Sequence, residues 1–492
     1  MCASPIYAEL PLDPGRNEIR LLDIFPPKQQ SVNSGEHVSC RLHRVDLDSK
    51  PQFNALSYTW GDKAVRTDIY VNGVITSVTA NLESALRHLR RADQVVTIWA
   101  DALCIHQEDT VEKAHQVRRM HNVYSKARRT VVWLGPEGDG SDMAMRAMQS
   151  TGRQAMQNGI LIHAASVLNA GFAGQDPAFH GLRVLVEAVG WAYPFKAVRK
   201  LGERPYWSRL WVQQEYALGQ EIMIQCGNIE IDGHQYNAAY LFSQLLQRSL
   251  CDTIVEEADC VEPMLDGADY EVDTNEKGSP WHTHSRAWHV LQNAIFSRSG
   301  KLIEIRRLYE NWQQRPEMTP PRRLCALLES INSEGTHESE TSALGVSIPR
   351  DRIFGFVGML GQNAVLGFPV DYNVLEEETF VATTRWLLLC GQFSLLSFAR
   401  TTLHARMPSW SPAWGTQLRA PAMGKGFFRP SGTLPSHAVQ VGANIIRFSG
   451  ILLGRLERWR EGVWRIPIAD QYEDGNGIRT RATSAAKEGW QL

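Results

Sequence analysis

No run in this 492-residue sequence approaches the roughly 18 to 20 consecutive apolar residues of a membrane span. The N-terminal MCASPIYAELPLDPG has neither the basic lead nor the apolar centre of a secretion signal. Charge of one sign is missing too. The 51 Lys and Arg against 53 Asp and Glu leave a formal charge of -2, so no basic excess points to a nucleic-acid backbone or an anionic membrane surface. The eight cysteines, Cys2, Cys40, Cys104, Cys226, Cys251, Cys260, Cys325 and Cys390, are scattered without a CxxC pair or a zinc-knuckle spacing. The glycines of GPEGDGSD (135–142) follow no GxGxxG or Walker pattern and read as a loop. The expectation is a soluble, cytoplasmic protein with reduced thiols, no nucleic-acid partner, no metal and no membrane span.

What is present is a long globular chain. Hydrophobic residues make up 43% of it, enough for a substantial core and for more than one domain. From Glu18 to Asp232 strand-like and helix-like segments alternate, which argues for an α/β layer with a mostly parallel sheet. NALSYTW (54–60), QVVTIWA (94–100) and TVVWLG (130–135) read as buried strands, and DIYVNGVITSVT (68–79) as a hairpin turning at Asn72-Gly73. NLESALRHLRR (81–91), with Asn81 as its N-cap, and residues 110–128 read as helices. Residues 143–200 read as a helical insertion, and EIMIQCGNIEID (221–232) as two short strands.

These patterns divide the chain into a first domain over 1–235, an acidic linker over 236–281, a helix-rich region over 282–471 and a polar tail over 472–492. The linker rests on composition: residues 252–277 hold ten Asp or Glu and a single Lys. No internal repeat occurs.

Candidate site residues follow from position. Asp62 and Asp101 lie just past the ends of predicted strands, where open α/β sheets place a ligand crevice; the plainer reading of each is a turn or helix cap. Ser57 and Trp60 come from the first of those strands. In SRLWVQQEYALG (208–219) a helical wheel gathers Trp207, Leu210, Trp211, Ala217 and Leu218 on one face, with Gln214 in its middle and Glu215 at its edge. A carboxylate there is either paired with an arginine such as Arg209 or Arg204, or held for chemistry. Cys104 and His106 read as core residues rather than a nucleophilic pair, because neighbouring side chains on one strand do not converge. The spacings of His106, His115 and His121 fit no familiar metal-ligand pair. Most of the 15 tryptophans read as core or interface anchors.

Three blocks carry a family resemblance: FNALSYTWGD (53–62), TIWADALCIHQEDTVEKAHQVRRMHNVYSKARRTVVWLG (97–135) and RPYWSRLWVQQEYALGQEIMIQCG (204–227). With EIRLLDI (18–24) before them and PRDRIFGFVGML (349–360), DY (371–372) and PSWSPAW (408–414) after, the chain resembles the fungal heterokaryon incompatibility (HET) domain family. Two positions depart from its pattern: His106 stands where the family usually has Asn, and Ala413 where Asp is common. The resemblance implies a role in non-self recognition and programmed cell death in a filamentous fungus, with self-association or an incompatibility partner.

HET domains are distantly similar to Toll/interleukin receptor (TIR) domains, some of which cleave NAD⁺. That similarity implies a TIR-like sheet flanked by helices, with Glu215 as the catalytic carboxylate. It further implies substrate contacts from Ser57, Trp60, Asp62, Asp101 and Trp211, and NAD⁺ as substrate rather than cofactor. The tryptophan-to-glutamate spacing of four, Trp211 to Glu215, matches the helix that carries the TIR glutamate. A non-enzymatic TIR-like assembly module is the alternative.

Overall fold

The computed structural model describes residues 5–27, 37–162, 179–259, 298–332, 346–361, 374–398 and 407–418, apart from Pro316, Ser347, Ser409, Thr416 and Gln417, and short strand segments between 438 and 491. A nine-stranded sheet forms its centre: β1 (Glu18–Ile24), β2 (Ser39–Asp46), β3 (Asn54–Tyr58), β4 (Arg66–Val71), β5 (Val74–Thr79), β6 (Val96–Trp99), β7 (Arg129–Trp133), β8 (Ile222–Cys226) and β9 (Ile229–Asp232). Their order is β5-β4-β2-β1-β6-β3-β7-β8-β9.

Strands β6, β3 and β7 are parallel neighbours, and β8 extends the parallel block beyond β7. The expectation of a mostly parallel sheet is nevertheless corrected. Four of the eight ladders are antiparallel, and they are generally the longer ones. The cause is local for two of them. β4 turns into β5 through Asn72 and Gly73, both at positive φ, and β8 into β9 through Gly227, also at positive φ. Turns this short can join only antiparallel strands, whereas a parallel pair needs a long crossover. β1 adds the other two by running antiparallel between β2 and β6.

The crossovers of the parallel block are helical. α1 (Ala80–Leu89) buries Leu82, Ala85, Leu86 and Leu89 on one face. Its N-cap is Thr79, whose hydroxyl accepts from the Leu82 N–H, and not Asn81. Asn81 instead donates to the Thr59 carbonyl at 2.6 Å and accepts from Trp133 Nε1 at 3.1 Å, tying the ends of β3 and β7 together. α2 (Thr110–Lys126) joins β6 to β7 and is capped by Asp109.

Between β7 and β8 come α3 (Ser141–Gln157), α4 (His180–Val189), α5 (Phe195–Gly202) and α6 (Trp211–Leu218). α6 is shorter than the apolar pattern suggests. Pro205–Ser208 forms a separate 3-10 turn, and Arg209, in an extended conformation, breaks the chain before Trp211. Residues 236–259, assigned to an acidic linker, are instead helical within α7 (Gly233–Asp259), which packs along α3. The remainder of that linker, from 260 to 281, and Asp371 and Tyr372 lie outside the described residues.

After them come α8 (Arg298–Gln313), α9 (Pro320–Asn332), α10 (Asp351–Val357) and α11 (Glu376–Leu389). Beyond Ala438 the described elements are short antiparallel strands. One hydrophobic cluster runs from the sheet residues Ile19, Leu56 and Ile98 into Ile305, Leu324, Ile353 and Trp414, so the C-terminal helices share the core of the sheet. Among the described residues no helix is long and apolar enough to cross a membrane.

Candidate functional site

The C-terminal half of β3 faces α6, and their meeting point is polar. Ser57 is fully buried and Glu215 is 4% exposed. The Ser57 hydroxyl donates to Glu215 Oε2 at 2.5 Å, and the Tyr206 hydroxyl, from the 3-10 turn before α6, lies 2.8 Å from Ser57 Oγ. Since the single Ser57 proton goes to Glu215, Tyr206 is the donor in the second bond. The Tyr124 hydroxyl of α2 donates to the Leu56 carbonyl at 3.1 Å and borders the same carboxylate.

Burial pushes the Glu215 carboxyl up to about 7. The nearby Arg209 guanidinium and the hydrogen bond from Ser57 oppose that rise, and the Asp101 charge adds to it. Burial, and then the Glu215 charge, hold the Tyr124 and Tyr206 hydroxyls well above their ordinary range. Both therefore remain protonated around neutral pH. The cluster is thus a carboxyl poised to change charge near neutrality, bordered by hydroxyl groups.

A more open rim lies beside it. Asp101 opens a single helical turn after β6 and accepts from Trp60 Nε1 at 2.8 Å and from the Ala102 N–H at 2.7 Å. The Lys63 ammonium stands over the Trp60 ring, 5.6 Å from its centre. Arg209, half-buried, donates to the Tyr58 carbonyl at the end of β3. Gln107 holds the Asp101 carbonyl at 2.8 Å, and Gln116 holds the Glu18 carbonyl at 3.1 Å.

The structure thus brings Ser57 and Glu215 into contact, pairs Trp60 with Asp101, and sets Asp101 near enough for its charge to act on Glu215. Asp62 stands outside the buried cluster: it is exposed, and its carboxylate accepts from the Ala64 N–H at 2.8 Å within a turn. Trp211 directs its indole N–H to Asp351 Oδ2 of α10 at 3.0 Å. Arg204 is bound to the Leu134, Pro136 and Gly138 carbonyls, so Arg209 is the arginine that acts on Glu215.

Tyr206 and Tyr124 escaped the sequence reading. Each looks like an ordinary core aromatic, and only the distant partner gives its hydroxyl a role.

Cys104 is a packed thiol. It is buried, accepts from the Ala100 N–H at 3.3 Å, and burial pushes it up to about 12. His106 stacks on Tyr7 with ring centres 4.4 Å apart. Ligand atoms of His106, Asp109 and Glu112 come within 4.8 Å of one another; the two carboxylates have other partners, whereas His106 Nε2 is buried without a hydrogen-bond partner among the described residues. Glu112 accepts from Arg20 at 2.6 and 2.9 Å and from the His106 N–H at 2.8 Å, and Asp109 caps α2. His121 contacts the Arg118 carbonyl at 2.9 Å.

Residues 53–215, from the start of β3 to Glu215 itself, match the family model described as "Heterokaryon incompatibility protein (HET)". Over this stretch the chain matches the HET domain. Over 93% of its length it is also 24% identical to "Heterokaryon incompatibility protein 6, OR allele" of Neurospora crassa, covering 68% of that protein. No solved structure matches the chain. The HET match takes in Ser57, Trp60, Asp101, Tyr124, Tyr206, Arg209 and Glu215, all the residues of the buried cluster and its rim. It stops short of the helices that hold α6 from the other side.

Proposed function

We propose that this chain acts in heterokaryon incompatibility as a non-self recognition and cell-death effector, and that its HET domain does so by hydrolysing the glycosidic bond of NAD⁺. The observation that carries this reading is Glu215, a buried carboxyl with a pKa near neutrality at the C-terminal edge of parallel strands. The Trp211–Glu215 spacing shared with TIR domains adds to it.

In the reaction, the bond between nicotinamide and the ribose C1′ breaks and nicotinamide leaves with the bonding pair. Water then bonds to C1′ and its proton goes to solvent. Positive charge develops on the ribose in the transition state, and a carboxylate beside it stabilises that charge. Glu215 supplies the carboxylate, Ser57 and Tyr206 fix its orientation, and Trp60 with Asp101 forms the rim that meets the substrate. Release of nicotinamide from NAD⁺ by the purified chain tests the reading.

A second reading has its own observation. Glu215 is 4% exposed and Ser57 fully buried, so in this conformation the cluster is closed to a dinucleotide. In that reading the cluster is structural, and the domain signals by assembling with itself or with an incompatibility partner. A folded protein that associates and kills cells while NAD⁺ remains intact supports this second reading.

A further inference from the structure

The helix that carries Glu215 cannot hold itself in place. α6 has eight residues and no side chain capping its N-terminus, and helices this short are marginal on their own. Besides the Ser57 bond on its inner side, α6 is held from beyond the HET match. Arg306 of α8 is 7% exposed, and its Nη1 donates to the Tyr216 carbonyl at 2.8 Å and the Gly219 carbonyl at 2.9 Å. These are carbonyls at the C-terminal end of α6, where a cation also suits the helix dipole.

At the other end, Asp351 of α10 accepts from Trp211 Nε1 at 3.0 Å. Between the two, α10 and the residue after it approach α6 through glycines. A Cβ on Gly355 would lie 2.9 Å from Leu210 Cδ2, and one on Gly358 would lie 2.7 Å from the Gln214 amide oxygen.

We infer that α8 and α10 are a working part of the Glu215 site, with Arg306 as the positioning residue that sets where the Glu215 carboxyl stands against Ser57. The inference rests on the reading that Glu215 carries the function, but its test does not need NAD⁺. Besides Arg306, with its partner Glu310, and Asp351 on the outer side, the titratable or charged groups around Glu215 are Arg209 and Tyr206 from the segment before α6, Tyr58 at the end of β3, Tyr124 from α2, and Asp101 after β6. Arg306→Met changes none of the inner five.

The experiment is infrared titration of the protonated Glu215 carboxyl in the full-length chain, its band assigned by its loss in Glu215→Gln. Arg306→Met frees two carbonyls, loosens the last turn of α6 and admits water. Loss of the Ser57 bond alone would raise the midpoint, but burial is the largest cause of its height. The admitted water should therefore outweigh that loss and lower the midpoint from about 7 by about one pH unit or more, toward the ordinary glutamate range. Arg306→Lys, which keeps the charge and one donor, should recover part of the difference.

Trp211→Phe removes the N–H given to Asp351 and keeps a smaller aromatic ring; it should shift the midpoint the same way, and it decides the matter if Arg306→Met does not fold. A midpoint unchanged in a folded variant, with only the melting temperature lowered, overturns the inference. Failure of the wild type to release nicotinamide would sink the NAD⁺ reading and leave this titration result standing.

Discussion

Ser57 donates its hydroxyl proton to the Glu215 carboxylate at 2.5 Å, joining β3 to α6 across 158 positions of sequence. A hydrogen bond given to the charged form of an acid favours that form. In Ser57→Ala the Glu215 carboxyl should therefore rise further above about 7, by about one pH unit for a charge-assisted bond. If the carboxylate is the active form, nicotinamide release increases with pH, and its midpoint in Ser57→Ala moves to the alkaline side. A pH–rate profile of the two proteins checks this; a coincident or more acidic midpoint contradicts it.

The same carboxyl should leave a mark on stability. Its folded pKa of about 7 lies above the ordinary 4.5, so the folded protein holds a proton that the unfolded chain releases. The stabilisation is complete below pH 4.5 and is lost as pH rises through about 7. Over that window the wild type should lose stability relative to Glu215→Gln, by on the order of 3 kcal/mol. Denaturant melts of both proteins at several pH values across the window give the difference. A constant gap between the two is the contrary result.

Arg20 is 1% exposed and donates two hydrogen bonds to Glu112, at 2.6 and 2.9 Å. Burial opposes ionisation of Glu112, but Arg20 and the His106 N–H outweigh it and hold the carboxyl below its usual range. Removing one partner strands the other charge. Arg20→Met should therefore cost about 3 to 5 kcal/mol, measured by denaturant unfolding, whereas a loss under 1 kcal/mol would show that water reaches Glu112.

Gly152 marks where α3 and α7 touch: a Cβ there would lie 2.2 Å from the Gln235 carbonyl oxygen. Backbone cannot step aside as a side chain can. Gly152→Ala should push the two helices apart and cost about 1 to 3 kcal/mol, despite alanine's better helix propensity. A neutral or stabilising result in thermal unfolding counts against this packing.

How much of this was legible in the sequence depended on distance along the chain. β3, β6 and β7 appear as apolar runs, and the Asn72-Gly73 hairpin as a two-residue turn, because local pattern and turn chemistry decide both. The place of β1 between β2 and β6 has no local sign, and that insertion adds two of the four antiparallel ladders. The wheel over 208–219 predicted one helix through Arg209; the extended conformation at Arg209 instead frees Tyr206 to reach Ser57.

The site was half visible. Residues near strand ends, such as Trp60 and Asp101, could be picked out by position, and they pair. Asp62 satisfied the same rule and turned out to serve its own turn. The grip of Arg306 and Asp351 on α6 joins segments that no periodicity links.

Release of nicotinamide from NAD⁺ by the purified full-length chain, beside Glu215→Gln on the same preparation and with melting recorded for both, tests the central claim most directly. The substitution keeps the side chain's size and removes its charge. The wild type should release nicotinamide, and the variant should remain folded while its rate falls by a factor of roughly 10² to 10³, the usual loss when one transition-state-stabilising group is removed. A folded wild type that leaves NAD⁺ intact, or a folded variant as fast as the wild type, contradicts the account.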